Sequence, residues 1–175
     1  LKPIFLTGFM GSGKTTIGSL LGKRLDLPVV DTDHYIEEKY NQKVAEIFAV
    51  HGEVVFRGYE ASILPELPQQ DAIITTGGGM AVSAENRKYM LEKGFVIFLS
   101  CPLDTIFERL KEDRSRPLFN HEKKIEMEKL YDRRLPLYRD CHWVLETGGY
   151  EPEETVEEIT ARLGRSDFGQ TGDKQ

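Results

Sequence analysis

The segment Gly8-Phe9-Met10-Gly11-Ser12-Gly13-Lys14-Thr15 constrains this chain more than any other. It satisfies G-x-x-x-x-G-K-[ST] throughout. It stands between the run Pro3-Ile4-Phe5-Leu6-Thr7, which reads as a strand, and a stretch where Ile17, Leu20, Leu21 and Leu25 recur at helical spacing. Strand, glycine loop and helix in that order are the context in which the motif cradles phosphates. Glycines let the backbone wrap closely around phosphate oxygens and turn several N–H groups toward them. The helix N-terminus adds the positive end of a dipole. Lys14 is spaced to reach β- and γ-phosphates, and the Thr15 hydroxyl to ligate Mg²⁺. A chance lysine after an ordinary glycine turn would explain neither flanking element. The motif specifies nucleoside triphosphate binding and nothing finer.

Around the loop, short β-branched runs alternate with helical periodicity, which predicts an α/β protein with a parallel sheet. Strands are expected over residues 3–7, 29–30, 72–76, 95–100 and 143–145. The fourth is so apolar on both faces that it is expected at the sheet centre. Helices are predicted over 44–50 and 54–64, with His51-Gly52 as the break, and from Ser83 as cap to Lys93, where Gly94 ends it. Others run from 103 to about 111, to an end near Asp140, and over 155–163. Residues 1–163 then make one domain. The charged stretch at about 112–124 has no clear period and is expected to be a mobile lid; residues 164–175, polar and glycine-rich, a flexible tail.

Composition narrows the functional classes. With 175 residues, 39% hydrophobic and 30% charged, the chain can bury a core and is neither a disordered tail nor a membrane protein. Its longest apolar run, Phe95 to Leu99, falls far short of the about 20 residues that span a bilayer. The apolar stretch after Lys2 runs straight into the glycine loop, so it reads as structure rather than a signal peptide. A net charge of −6 argues against general nucleic-acid or anionic-membrane binding. A local arginine cluster can still hold a small anion. Cys101 and Cys141 are too few for a disulfide scaffold and fit reduced thiols in the cytoplasm.

Other nucleotide-binding classes lack their parts. There is no N-K-x-D to read guanine. Asp167-Phe168-Gly169 has no H-R-D loop before it and lies in the expected tail. His121-Glu122 lacks a second histidine four residues on, so no zinc-protease motif exists. The four histidines are scattered and read as solvated or packing residues.

The acceptor is suggested by a second set of residues. Asp31 and Asp33 follow the second strand, and residues two apart at a strand end point the same way. Both carboxylates are then expected to face the crevice where α/β ligands bind, one serving metal through water and the other a hydroxyl. Helix capping by either is the alternative. Phe56-Arg57 with Glu60, the run Gly77-Gly78-Gly79, and Arg133-Arg134 before Leu135-Pro136-Leu137-Tyr138 complete the set. Isolated arginines are usually solvated. Three glycines at a strand end give up packing for close backbone approach.

With these motifs in order (GxxxxGKT at Gly8, D-T-D at Asp31, F-R-x-x-E at Phe56, G-G-G at Gly77, R-P-L at Arg116, R-x-P-L-Y at Arg134) the chain resembles the shikimate kinases, from about Ile4 to Leu163. The resemblance implies a three-layer P-loop kinase fold with a central five-stranded parallel sheet, helices on both faces and a mobile lid. It implies transfer of the γ-phosphoryl of ATP to the 3-hydroxyl of shikimate, on the route to chorismate and the aromatic amino acids. By the same resemblance Gly11, Ser12, Gly13, Lys14, Thr15, Thr16, Arg109, Arg116, Tyr150 and Pro152 bind ATP, with Arg109 stacking on adenine. Thr15 and Asp31 serve Mg²⁺, Asp31 through water. Asp33 binds shikimate hydroxyls and takes the proton. Arg57 and Arg134 clamp the carboxylate with backbone N–H groups of Gly78 and Gly79, and Lys14, Asp33 and Arg116 form the catalytic group. The implied protein is a cytoplasmic monomer using shikimate and ATP, with no nucleic-acid or membrane partner. Thr75-Thr76 before the glycines, the Gly148-Gly149-Tyr150 loop without basic residues, and a second cation at Arg114 depart from the family pattern. The competing readings are another small-molecule kinase of this fold, for gluconate or a nucleotide, and a non-catalytic ATP-binding regulatory domain.

Overall fold

The computed structural model describes residues 1–112 and 121–165. Arg114, Arg116, the middle of the expected lid and the chain from residue 166 onward lie outside the described residues.

Among the described residues five strands form one parallel sheet: β1 (Ile4–Thr7), β2 (Val29–Asp31), β3 (Ile73–Thr75), β4 (Phe95–Ser100) and β5 (Trp143–Glu146), in the order β2-β3-β1-β4-β5. β1 pairs on both sides, Ile4 with Ile73 of β3 and with Phe95 of β4. Period-2 alternation then sorts the apolar side chains into two layers. Ile4, Leu6, Ile73, Ile97 and Leu99 pack with Ile17 and Leu21 of α1 (Lys14–Leu25) and with Val156 and Ile159 of α7 (Pro152–Arg165). Phe5, Ile74 and Val96 face the other way. They meet α2 (Thr32–Tyr40) at Ile36, α3 (Val44–Ile63) at Ile47 and Phe56, and α4 (Ala84–Lys93) at Met90. The result is the three-layer sandwich. A third cluster joins Phe9 and Phe98 to Ile106 and Leu110 of α5 (Leu103–Glu112) and Tyr138 of α6 (His121–Tyr138).

Several expectations need correction. β4 is fully buried, yet β1 holds the middle position. Apolarity reports burial on both faces, which any interior strand has, whereas the order comes from the crossovers. α2 was not expected, because its only buried residues are Thr32 and Ile36, too narrow a stripe to show as periodicity. The break at Gly52 is present within α3, at φ +81° and ψ 172°. Glu112 and residues 121–124, placed in the lid, are helical ends of α5 and α6. The start of α6 rests on helix-forming Glu and Lys rather than on an apolar stripe. α7 begins at Pro152, a favoured first helical residue, and reaches Arg165, so Gly164 and Arg165 are not tail. Ser83 caps α4 as expected, its Oγ accepting from Asn86 N at 3.3 Å.

Candidate active site

The phosphate loop sits at the C-terminal end of β1, the middle strand. Gly11 (φ +76°) and Gly13 (φ +99°) take left-handed backbone that a side chain would strain. At Gly8 a Cβ would lie 2.8 Å from the Leu99 carbonyl oxygen, so no larger residue fits. Lys14 folds over the loop and donates from Nζ to the carbonyls of Gly8 at 2.7 Å and Phe9 at 2.9 Å. Burial pushes its ammonium down from 10.5 to about 8, against the pull of Asp33 and Asp31. Ser12 Oγ is buried with no protein partner.

A cleft of about 560 Å³ opens beside the loop. Residues 11–16, Arg109, Tyr150 and Pro152 line it, so every ATP candidate among the described residues is brought together. Arg109 reaches in from α5 and donates to Gly11 O at 2.8 Å. Sequence reasoning missed Thr147, just past β5, whose buried hydroxyl lies 3.2 Å from both Ser12 O and Ser100 O. Its place at a strand C-terminus was the available signal.

The two aspartates divide the roles left open between them. Asp31 is the cap of α2: Oδ1 accepts from His34 N at 3.0 Å, and Oδ2 from Thr75 Oγ1 at 2.8 Å. Asp33 caps nothing. Strand alternation does not orient it, since Thr32 already begins the helix. It faces Gly77 from the first turn of α2, and its Oδ1 is buried without a partner. Burial and neighbouring Asp31 raise its pKa, opposed by Lys14 and Arg57.

Each glycine of the 77–79 run seats one of these side chains. A Cβ on Gly77 would overlap the Asp33 carboxylate, and one on Gly79 the Arg57 guanidinium; on Gly78 it would lie 3.3 Å from Arg134 Nη1. Arg57, from α3, pairs with Glu53 at 3.2 Å and with the fully buried Glu60 at 2.5 Å. Burial raises the Glu60 carboxyl although Arg57 pulls it down. Arg57 Nε, Arg134 Nε and Glu60 Oε2 have no partner among the described residues. Thr75 and Tyr138 also belong here. Tyr138 stood in the R-x-P-L-Y motif, but only packing shows that its hydroxyl donates to Gly78 O.

Among the described residues no group of three or more His, Cys, Asp or Glu side chains could hold a metal alone. A cation held mainly by phosphate oxygens and waters, as Mg²⁺ is, needs no such cage. Thr15, in the first turn of α1, is exposed, and both Asp31 oxygens already accept a hydrogen bond. That donor set fits a direct hydroxyl ligand and a carboxylate acting through water.

A family model described as shikimate kinase matches residues 10–164. A shikimate kinase of Bacillus cereus (strain G9842) is 42% identical over 163 residues, covering 93% of this chain and 99% of its own. One from Caldicellulosiruptor bescii is 39% identical over 161 residues, covering 91% and 94%. Among solved structures, shikimate kinase from Acinetobacter baumannii in complex with shikimate superposes with a TM-score of 0.85 at 34% identity, covering 97% and 96%. A gluconokinase from Sinorhizobium meliloti, 15% identical with a TM-score of 0.58, shares the fold alone.

Proposed function

The chain belongs to the shikimate kinase family, and we propose that its crevice transfers the γ-phosphoryl of ATP to the 3-hydroxyl of shikimate, giving shikimate 3-phosphate and ADP on the route to chorismate and the aromatic amino acids. One observation carries the assignment of residues. Asp33 Oδ1, Arg57 Nε and Arg134 Nε are buried and unpaired around one glycine run. Buried polar atoms are almost always satisfied, so this acceptor and these two donors call for a ligand with a hydroxyl and an anionic group. Shikimate has both.

Phosphoryl transfer needs in-line positioning and neutralised oxygens rather than a covalent nucleophile. The backbone of residues 11–16 holds the phosphates, Tyr150 and Pro152 wall the nucleoside end, and Arg109 stacks on the base. Lys14 exchanges its two carbonyl partners for phosphate oxygens. Asp33 accepts a hydrogen bond from the 3-hydroxyl and takes its proton as the bond to phosphorus forms; a raised pKa suits that role. Arg57 and Arg134 hold the carboxylate as planar forks, which lysine cannot match, and the Gly78 and Gly79 N–H groups complete its shell. Thr15, and Asp31 through water, would hold Mg²⁺, which would supply neutralising charge to the phosphates. Thr75 keeps Asp31 oriented for this.

The same reading makes the protein a cytoplasmic monomer with small-molecule partners. No described helix is long and apolar enough to cross a membrane, and the net charge of −6 offers nothing to a polyanion. A coupled assay of ADP release with and without shikimate tests the proposal. Turnover dependent on shikimate is the expected result; equal release without it, or with gluconate in its place, would overturn it.

A further inference from the structure

Tyr138, at the end of α6, is 2% exposed, yet its hydroxyl reaches the glycine run. It follows Arg134 by four residues, so both side chains leave the same face of the helix. Its hydroxyl donates to Gly78 O at 2.5 Å, and the Arg134 guanidinium stands beside the same hydroxyl. Arg134 Nη1 and the Tyr138 oxygen converge on one point, 3.3 and 3.7 Å from where a Gly78 Cβ would stand. The ring stacks on Phe98 of β4, with centroids 5.2 Å apart and planes at 23°. The hydroxyl is thereby referenced to the sheet, not only to its helix. Pro136 lies between the two residues and has no N–H for the carbonyl of Asp132. The last turn of α6 therefore leans on side-chain anchors.

We propose that Tyr138 is a positioning residue for the acceptor carboxylate: its one hydroxyl locks the Arg134 guanidinium and the Gly78 peptide to each other, so that both aim at the same anion. A phenol suits this because it donates to the carbonyl while its oxygen faces the guanidinium. Burial raises its pKa, which keeps the donated proton in place at working pH. The proposal rests on the assignment of Arg134 to the carboxylate.

Tyr138→Phe keeps the ring stack and removes the hydrogen bond to Gly78 together with the oxygen that faces Arg134. The shikimate KM is expected to rise about three- to tenfold, the loss of one or two ordinary hydrogen bonds, with kcat and the ATP KM unchanged and only a small drop in the thermal midpoint. In an Arg134→Ala background the same substitution should add little, because the residue it positions is gone. An unchanged shikimate KM, an equal rise in both backgrounds, or a fall in kcat with the thermal midpoint would each overturn the positioning role. Wild-type turnover of an analogue lacking the carboxylate separates the premise from the proposal. Efficient use of that analogue would remove the Arg134 assignment itself, whatever Tyr138→Phe does.

Discussion

Lys14 shows how one side chain links the loop to pH. It bonds to two backbone carbonyls, and burial lowers its pKa to about 8. The folded value lies below the unfolded one, so the unfolded chain binds more protons between about pH 8 and the ordinary lysine value of 10.5. Stability of the ligand-free protein should therefore rise with pH in that window through this group. A bound triphosphate reverses the balance by favouring the ammonium. Calorimetric titration of ATP at pH 9, in two buffers of different ionisation enthalpy, should report proton uptake that fades by pH 6.5. Identical heats in both buffers would contradict the burial of Lys14. The acceptor residues divide differently. Truncating one partner of a desolvated charge pair costs about 2–5 kcal/mol, so Arg134→Ala should weaken shikimate use by roughly 30-fold or more and leave ATP binding alone. Asp33→Asn keeps much of the hydrogen bonding but cannot take the proton, so its loss should fall on kcat. Steady-state kinetics with each substrate varied distinguishes the two patterns.

At the scale of elements, two glycines are needed for opposite reasons. Gly52 breaks α3 at φ +81° and ψ 172°, with nothing within 4 Å of a Cβ built there. Only its backbone conformation forbids a side chain. Gly52→Ala should thus cost stability, about 1–3 kcal/mol, seen as a lower thermal midpoint. Gly79 has an ordinary φ of −96°, but a Cβ there would overlap the Arg57 guanidinium. The Arg57 guanidinium is tied to Glu53 and to the fully buried Glu60, so displacing it in Gly79→Ala should lower the midpoint too. It should also raise the shikimate KM by about tenfold, as expected for a displaced charge-assisted contact. Lost stability with an unchanged shikimate KM would mean that the glycine run is structural rather than a seat for the proposed acceptor residues.

The whole molecule carries the energetic cost of burying ionisable groups at the crevice. Asp33 and Glu60 are held above their ordinary pKa by burial, and Lys14 below its own. In each case the fold disfavours the charged form, and for the two carboxyls stability falls as pH rises from the unfolded toward the folded pKa. The sandwich around β1 tolerates this because its core is built elsewhere, on the two faces of the sheet. On the proposed mechanism, function and stability are opposed at Asp33. Asp33→Asn should raise the thermal midpoint of the ligand-free protein at pH 7 while depressing kcat, by about 2–4 °C for each kcal/mol relieved in a chain of this size. Calorimetry on the ligand-free variant measures it, and a lowered midpoint would show that Asp33 is net stabilising.

What the sequence by itself determined is whatever local spacing encodes. The loop from Gly8 to Thr15, the strands around it, the Ser83 cap and the break at Gly52 follow from short-range sterics and hydrogen bonding, and they stand where the residues imply. The ordered motifs were enough to bring Arg57, Asp33, Arg134 and the glycine run under one family's pattern. Tertiary structure decided the rest, because it depends on residues far apart in the chain. Spacing left open whether Asp31 or Asp33 caps α2; His34 N bonds Asp31 Oδ1, and Thr75, 44 residues on, holds the second oxygen. β4 was misplaced because hydropathy reports burial and not strand order. The roles of Tyr138 and Thr147 could not be read locally, since their partners, Gly78 and Ser12, are 60 and 135 residues away. A hydrogen bond across such a distance leaves no periodicity in the chain that makes it.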